Sequence, residues 1–164
     1  MSLSYRLPEP YVGQHRVTLD EIDEYEHVNN ACYLRWLDRV AWEHSKALGI
    51  SLTDCLRLRR GMAVRHTRLD YLQAALLNDH LMIATWIVAS DGRLRCSRRF
   101  EVVHAVSGIR MLEAEIDFFC LNLDTGKPAR FPSEFSQAYA PDSRVLTAYE
   151  QLDIALRQIG QWRR

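Results

Sequence analysis

The residues best suited to chemistry in this chain lie together between Asp23 and Asn30. The segment DEYEHVNN places a carboxylate at Asp23, an imidazole at His27 and two amides at Asn29 and Asn30, directly before an apolar helical pattern. A helix start offers unpaired N–H groups and the positive end of a dipole to an oxygen that develops negative charge. A carbonyl group bound there would be polarised beside a candidate base, so the segment is typical of a site for acyl chemistry.

Asp23 is the candidate for the general base or the nucleophile of such a site. The backbone N–H groups of Val28, Asn29 and Asn30 are candidates for stabilising an oxyanion, because a helix terminus supplies these donors without a dedicated side chain. Both sets of residues also have a structural interpretation. Asp23 would then shape a turn, and Asn29 or Asn30 would cap the helix that follows.

One long helix and a set of strands must position these residues. Apolar side chains recur at helical spacing from Asn30 to Leu48, and Gly49 follows as a stop signal. Alternating patterns predict five strands, at His15–Ile22, Met62–Leu72, His80–Ser90, Arg93–His104 and Arg110–Leu123.

The order of these elements predicts an α+β fold with an antiparallel sheet. Turn signals separate the strands, the strongest being Asp91-Gly92, and there is no strand–helix–strand alternation to require parallel pairing. A final helix, capped by Asp142, is predicted to run to about Trp162 with an apolar stripe that includes Ile159.

Composition predicts one domain without a metal or a cofactor. At 164 residues and 48% hydrophobic, the chain can bury one sizeable core. No apolar run approaches the roughly 20 residues that span a bilayer, and the N-terminus lacks the apolar core of a signal peptide, so we expect a cytoplasmic protein. The four cysteines form no C-x-x-C pair. Asp23, Glu26 and His27 also lack the helical i, i+4 ligand pair of a zinc hydrolase.

The segment that begins at Asp23 resembles the signature of a known enzyme family. In the hotdog-fold thioesterases related to 4-hydroxybenzoyl-CoA thioesterase, an Asp, a small loop and H-V-N-N-x-x-Y lead into the central helix, as Asp23, His27 and Tyr33 do here. Tyr71–Leu81 is similar to the family's Y-x-x-P-x-x-x-G-D-x-L segment, and Asp124–Pro132 is similar to its T-G-[KR]-P…P stretch. The matches together span residues 14–139.

This resemblance implies a five-stranded antiparallel sheet wrapped around one long central helix. The hotdog domain would occupy residues 14–139, after an N-terminal extension at 1–13 and before a C-terminal helical extension at 140–164. The implied activity is hydrolysis of an acyl-CoA thioester to a free acid and coenzyme A, with Asp23 as base or nucleophile and His27 holding water or donating to the thioester. The implied assembly is a homodimer or homotetramer whose active site lies between two subunits that pair edge to edge.

Two alternatives remain open at the level of sequence. The chain would be an acyl-ACP thioesterase if it recognised an acidic carrier protein instead of coenzyme A. It would be a non-catalytic hotdog module if it bound acyl thioesters or partner proteins without turnover. The length of an acyl pocket is expected to depend on helix and strand side chains, among them Leu37, Ala41, Met62 and Val64.

The chain departs from the family pattern at two turns. Tyr25 and Glu26 stand where many members have a small residue and a glycine, and Tyr71–Leu81 lacks both the proline and the glycine before Asp79. A turn that requires positive φ at these positions is expected to be strained or differently shaped. We predict that these departures change the local turns and the oxyanion geometry and leave the fold unchanged.

Charge is distributed unevenly although the formal net charge is zero. Residues 57–110 hold ten basic residues, all arginine, against four acidic ones, which leaves a net charge of +6. Arginine suits bidentate contact with phosphate, so this segment is a candidate for binding coenzyme A, and the first candidates are Arg57, Arg59, Arg60 and Arg65. The alternative is that these arginines solvate exposed strand faces. A nucleic acid partner is disfavoured, because no aromatic–basic interleaving accompanies the segment.

Overall fold

The protein is an antiparallel sheet packed against one long helix. The computed structural model describes residues 3–158. Five strands lie in the order β1-β3-β4-β5-β2, and every neighbouring pair is antiparallel. The strands are β1 Tyr11–Arg16, β2 Arg60–Tyr71, β3 His80–Ser90, β4 Arg95–His104 and β5 Arg110–Asn122. The helices are α1 Asn30–Ala47, α2 Leu52–Leu58, α3 Ser133–Ala138 and α4 Ser143–Gln158. The α+β class and the antiparallel sheet predicted from the sequence are confirmed.

Helix α1 lies on the inner face of the sheet because its apolar stripe is buried there. Tyr33, Leu37 and Val40 are almost fully buried at helical spacing and pack against sheet side chains that include Ile83 and Phe100. The predicted helix Asn30–Leu48 agrees with the structure to within one residue.

The opposite, outer face of the sheet is covered by α4 and the N-terminal segment. Trp86 on β3 is buried between them, and its indole nitrogen donates to the Pro8 carbonyl at 2.7 Å. The Tyr149 hydroxyl on α4 donates to the Glu115 carboxylate at 2.7 Å. Both faces of the sheet are therefore packed, which leaves its two edges, β1 and β2, as its exposed backbone.

The first predicted strand is wrong in its bounds. The alternating pattern predicted His15–Ile22, but β1 ends at Arg16 and a 3₁₀ turn follows at Leu19–Glu21. A capping box between Thr18 and Glu21 stabilises that turn, and this local pattern prevails over the alternation. The short helices α2 and α3 were not predicted either, because a single helical turn or two carries little periodicity.

The C-terminal helix agrees with its prediction over the residues that are described. Helix α4 begins at Ser143, and the Asp142 carboxylate accepts a hydrogen bond from the backbone N–H of Arg144 at 2.8 Å. The predicted continuation from Ile159 to Trp162 lies outside the described residues. None of the helices between residues 3 and 158 has the length and hydropathy needed to cross a membrane.

Candidate active site

Asp23 lies in a tight loop between the 3₁₀ turn and α1, here called the Asp23 loop (residues 22–29). Ile22 and Val28 form an isolated bridge that closes the loop, and the Asp23 N–H donates to the His27 carbonyl at 2.8 Å. One carboxylate oxygen, Asp23 Oδ1, accepts from the Tyr25 N–H at 2.9 Å and from the His27 N–H at 3.4 Å. The other oxygen, Oδ2, has no hydrogen bond within residues 3–158 and is available to a water molecule or a substrate.

The Asp23 loop keeps a positive φ without a glycine. Glu26 has φ of 62°, in the left-handed region that glycine adopts at no steric cost. The same is true of Asn78, at 68°, in the turn before Asp79. The strain expected at these departures is therefore present, at about 1 kcal/mol for Glu26 and less for Asn78, whose side chain tolerates this conformation better.

The buried carboxylate of Glu21 holds the Asp23 loop against α1. It accepts hydrogen bonds from the Trp36 indole at 2.7 Å and from the Thr18 N–H at 3.0 Å, and it pairs with His15 Nε2 at 2.8 Å. Burial opposes ionisation of Glu21, but the hydrogen bonds from Thr18, His15 and Trp36 outweigh it and lower the pKa. Sequence reasoning missed this residue, although the capping pattern T-x-x-E from Thr18 to Glu21 was a signal for it.

The start of α1 provides fewer oxyanion donors than predicted. The Val28 N–H donates to the Ala75 carbonyl at 3.0 Å, and the Asn29 N–H donates to the Glu21 carbonyl at 2.8 Å. Two of the three predicted donors are thus engaged in backbone hydrogen bonds. The Asn29 side chain caps the helix by accepting from the Ala31 N–H at 2.9 Å, which confirms its structural interpretation. The Asn30 N–H remains the available donor at the helix start.

His27 and Asp23 are close along the chain, but their side chains are not hydrogen-bonded to each other. The His27 imidazole is exposed and makes no hydrogen bond within residues 3–158. The Asp23 carboxylate and the His27 ring therefore lie in one loop, directly before the Asn30 N–H at the start of α1, without a preformed relay between the carboxylate and the ring.

A pocket opens beside the C-terminal half of α1, between this helix, β2 and the inner face of the sheet. Its mouth is formed by the exposed side chains of Asp38, Trp42 and Val64. Its apolar walls include Ala41, Met62 and Phe118, and its inner end is formed by buried residues, among them Ser45, Cys96, Arg98 and Tyr139. Three of the four residues expected to line an acyl pocket, Ala41, Met62 and Val64, line this pocket. Leu37 is the exception, because it faces the sheet core.

The pocket and the Asp23 loop lie at opposite ends of α1. A helix rises about 1.5 Å per residue, so Ser45 lies about 22 Å along the axis from Asn30. Strand β2 runs beside the helix and contacts both regions. Met62 near its start lines the pocket, while the Tyr71 hydroxyl at its end donates to the Asn30 carbonyl at 3.1 Å. Within one chain, the Asp23 loop does not line the pocket.

The four predicted phosphate-binding arginines lie along α2 and the start of β2, and they differ in their partners. Arg57 pairs with Asp54 at 3.3 Å and with Glu134 at 3.8 Å. Arg59 pairs with Asp124. Arg60 donates to the carbonyl of Arg130 at 3.3 Å. Arg65, at the bulge of β2, is exposed and has no ion pair in the part of the chain that the structure describes, which makes it the most available of the four.

The cysteines and the metal-ligand residue types offer no second chemistry. All four cysteines are buried and unbridged, and burial raises the pKa of Cys96 and of Cys120 to about 11. The thiolate forms of Cys96 and Cys120 are therefore scarce at neutral pH. Among residues 3–158, no group of three or more His, Cys, Asp or Glu side chains is arranged to hold a metal ion.

Comparisons with known proteins show which family and which fold this chain is similar to. The model of the thioesterase-like superfamily matches residues 17–139. The acyl-CoA thioesterase YbgC of Haemophilus influenzae is 26% identical over 125 residues, which cover 76% of this chain and 90% of that protein. The long-chain acyl-CoA thioesterase FadM of Escherichia coli is 25% identical over 120 residues, covering 71% and 86%. The structure of the hypothetical protein SAV2348 of Staphylococcus aureus, solved in complex with CoA, superimposes with a TM-score of 0.74 at 20% identity, over 80% of this chain and 82% of that one.

Proposed function

This chain belongs to the thioesterase-like superfamily, and from that premise we propose that it is an acyl-CoA thioesterase that releases a free acid and coenzyme A. The observation that carries the proposal is the Asp23 loop. It presents an unengaged carboxylate oxygen, and the helix that follows it, α1, begins with an available N–H group at Asn30. These are the two groups that thioester hydrolysis needs, since one activates the attacking oxygen and the other stabilises the negative charge on the carbonyl oxygen.

In the proposed reaction, Asp23 Oδ2 takes a proton from water, or attacks the thioester carbonyl itself. A carbon–oxygen bond forms, and the charge that develops on the carbonyl oxygen is stabilised by the Asn30 N–H and the dipole of α1. The carbon–sulfur bond then breaks, and the thiolate of coenzyme A leaves and takes up a proton. If Asp23 itself has attacked, water then hydrolyses the resulting anhydride, which releases the free acid and restores the Asp23 carboxylate. His27 is exposed beside the loop, where it can hold the water or donate that proton.

We further propose that the active site is shared between two subunits. Strand β2 is an edge strand of 12 residues, whereas the other edge, β1, has six. Exposed apolar side chains accompany β2, namely those of Leu34, Trp42 and Val64. An edge with these properties favours pairing with a second copy.

Antiparallel pairing of two β2 strands would bring the separated halves of the site together. In a full overlap around a two-fold axis, the start of β2 in one subunit lies beside the end of β2 in the other. The start carries the pocket wall at Met62 and Val64, and the end contacts the helix start at Asn30. The pocket of one subunit would therefore face the Asp23 loop of the other.

Coenzyme A is the proposed carrier, and Arg65 is its first candidate contact. The structurally similar protein SAV2348 was solved in complex with CoA, and Arg65 directly follows Val64, whose exposed side chain lies at the mouth of the pocket. The buried, unbridged thiols and an intracellular carrier support a cytoplasmic location.

The proposed function is tested by thiol release from acyl-CoAs of different acyl groups, with wild-type protein and an Asp23 variant. Asp23→Asn keeps the Oδ1 acceptor of the loop but removes the base, so kcat should fall by about 10²-fold or more. Glu24→Gln is the matched control, because Glu24 is an exposed carboxylate of the same loop and should leave kcat within about twofold. Near-wild-type turnover by folded Asp23→Asn protein would remove Asp23 from the mechanism. Binding without turnover by the wild type would indicate a non-catalytic module.

The carrier is tested separately with Arg65→Ala. Phosphate contacts far from the reacting carbon hold ground and transition states alike, so KM for an acyl-CoA should rise with little change in kcat. The same acyl group on N-acetylcysteamine, which has no phosphate, should show no such rise. Arg144→Ala, an exposed arginine on α4, is the control. Equal kcat/KM of the wild type for the two thioesters would contradict recognition of coenzyme A, and inhibition by an acyl carrier protein would then favour that carrier.

A further inference from the structure

The inner end of the pocket contains a buried guanidinium group. Arg98 projects from β4 and is 3% exposed. It donates to His44 Nδ1 at 2.7 Å and to the Ser45 hydroxyl at 2.8 Å, and its Cζ lies 5.7 Å from the centre of the Tyr139 ring. These contacts fix the position of the guanidinium at the inner end of the pocket, beyond its apolar walls at Ala41, Met62 and Phe118.

No carboxylate compensates this charge. Within residues 3–158, the contacts of Arg98 are to an imidazole, a hydroxyl and an aromatic ring, and no acidic oxygen lies within ion-pair distance. The next residue, Arg99, shows the contrast, because it is also buried but pairs with Glu113 at 2.9 Å and with Glu101 at 3.6 Å. A buried charge without a counterion is unfavourable, which makes the surroundings of Arg98 an incomplete site.

The groups around Arg98 add no negative charge. Burial, together with the charge of Arg98, lowers the pKa of His44 to about 3, so the imidazole is neutral and can only accept the hydrogen bond from Arg98. Burial raises the pKa of the nearby Cys96 thiol to about 11, so it is neutral too. At neutral pH, the inner end of the pocket therefore carries one positive charge.

The same end of the pocket also has a hydroxyl hydrogen without an acceptor. Ser45 and Tyr139 share one hydrogen bond of 3.2 Å, and Ser45 Oγ also accepts from Arg98. Two hydroxyl groups carry two hydrogens, and only one of them is used in the bond between the two oxygens. With the Tyr139 hydroxyl donating to Ser45 Oγ, the Ser45 hydroxyl hydrogen has no hydrogen-bond acceptor among the described residues, and three of the five guanidinium N–H groups are not used by His44 or Ser45.

We propose that Arg98, with Ser45 and Tyr139, binds a carboxylate at the distal end of the acyl group, so that the preferred substrates are monothioesters of dicarboxylic acids. This inference rests on the proposed acyl-CoA hydrolysis for the thioester part of the substrate. The recognition of a carboxylate rests on the contacts in the pocket alone. A carboxylate offers about four acceptor positions and the compensating charge, and it forms paired hydrogen bonds with a guanidinium. The methylene groups between it and the thioester would contact Ala41, Met62 and Phe118.

The test compares acyl-CoAs of equal chain length that differ only at the distal end. Adipoyl-CoA is set against hexanoyl-CoA, and the shorter and longer homologues are compared in the same way. We expect kcat/KM to favour the diacid by about 10²-fold or more at the length that reaches Arg98, because an alkyl end leaves the buried donors unpaired. Arg98→Met should abolish or invert this preference, mainly through KM. Arg95→Met, an exposed arginine of the same strand, is the matched control and should keep it.

Two further measurements keep the inference testable if Arg98→Met does not fold or if no thioester is hydrolysed. Ser45→Ala removes one donor and should reduce the preference for the diacid in part. Binding of free adipate, measured as a thermal shift against free hexanoate, does not depend on catalysis and should be seen only for adipate. A wild type that binds hexanoate as well as adipate, or that prefers alkyl or hydroxyaryl thioesters at every length, would overturn the proposal and leave Arg98 a structural residue. Adipate binding without turnover would support it while contradicting the proposed hydrolysis.

Discussion

The two oxygens of the Asp23 carboxylate separate a structural role, which the hydrogen bonds show, from the chemical role that we propose. Its Oδ1 closes the loop on the N–H groups of Tyr25 and His27, and its Oδ2 is left to a substrate or a water molecule. The loop is in turn held by the buried Glu21 carboxylate. The structural interpretation of Asp23 as a turn residue and the chemical one as a base are therefore compatible, because each uses a different oxygen.

His44 provides a residue-level prediction about pH. Burial first, and Arg98 second, lower its pKa from 6.5 to about 3. The pKa of His44 is lower in the folded protein than in the unfolded chain, so unfolding at acidic pH takes up a proton. The stability that comes from keeping His44 neutral is therefore fully present above pH 6.5 and is lost as the pH falls toward 3. The slope contributed by His44 should be at most about 1.4 kcal/mol per pH unit. It is measured as the free energy of unfolding between pH 7 and pH 4.

The controls for this prediction are two histidine variants. His44→Gln retains an acceptor for Arg98 but cannot be protonated, so its stability should depend less on pH over the same range. His80→Gln, at an exposed position on β3, should retain the wild-type slope. Equal slopes in the wild type and His44→Gln would mean that His44 is not held neutral by the fold.

At the scale of elements, α1 separates two parts of the site and fixes the distance between them. Its first residue stands beside the Asp23 loop, while Ser45 in its last turns supports Arg98. The helix can do this only if the sheet approaches it closely. Strand β1 comes close to α1 at Gly13, where an added Cβ would lie 2.6 Å from Cγ2 of the fully buried Val40.

Gly13→Ala is therefore predicted to destabilise the protein by about 1–3 kcal/mol, since Val40 is enclosed and cannot move aside. Gly61→Ala is the matched control, because its Cβ would meet, at 2.9 Å, the end of the exposed Leu123 side chain, which can rotate away. It should cost less than about 1 kcal/mol. Denaturant titration of both variants measures the difference. A cost at Gly13 no larger than at Gly61 would show that β1 can shift away from α1.

At the scale of the whole molecule, the two faces and the two edges of the sheet have different uses. The inner face packs α1, and the outer face is covered by α4 and the N-terminal segment through Trp86 and Val145. Strand β2 is the longer of the two open edges, and exposed apolar side chains, among them Trp42 and Val64, lie near it. Association through β2 is therefore favoured over association through a face of the sheet.

Leu34→Glu is predicted to weaken this association. Leu34 lies on α1 with 42% of its surface exposed, and a carboxylate there would be buried unpaired in the proposed interface. Light scattering should show a dimer for the wild type and a shift toward monomer for the variant. If the active site is shared between two subunits as proposed, kcat/KM of the variant should fall as the protein is diluted.

Leu19→Glu is the control for the interface, since Leu19 is 74% exposed on the 3₁₀ turn and apart from β2. It should remain dimeric and active. An active wild-type monomer at assay concentration would reject the shared site and leave the fold and the Asp23 loop unaffected.

Local patterns in the sequence were enough to predict most of the secondary structure and the position of the Asp23 loop. The helical repeat from Asn30 bounded α1, and the Asp91-Gly92 turn placed β3 and β4 correctly, because each signal is contained in a few neighbouring residues. The exception was Thr18–Glu21, where the alternating pattern predicts a strand and the capping pattern predicts a helical turn, and the turn is formed. The roles of Val28 and Asn29 as oxyanion donors also required the structure, because their N–H groups are used by carbonyl oxygens that include that of Ala75.

The inner end of the pocket was decided by tertiary structure alone. Arg98 contacts Ser45 at a separation of 53 positions in the chain, and Tyr139 contacts Ser45 at a separation of 94. In the sequence, Arg98 is one of ten similar arginines in a basic segment, and its neighbour Arg99 is chemically identical. Only the alternation of the strand and the packing of α1 turn one of them toward a pocket without a counterion and the other toward two carboxylates. Such a difference depends on contacts between distant segments, and these leave no periodic pattern in the chain.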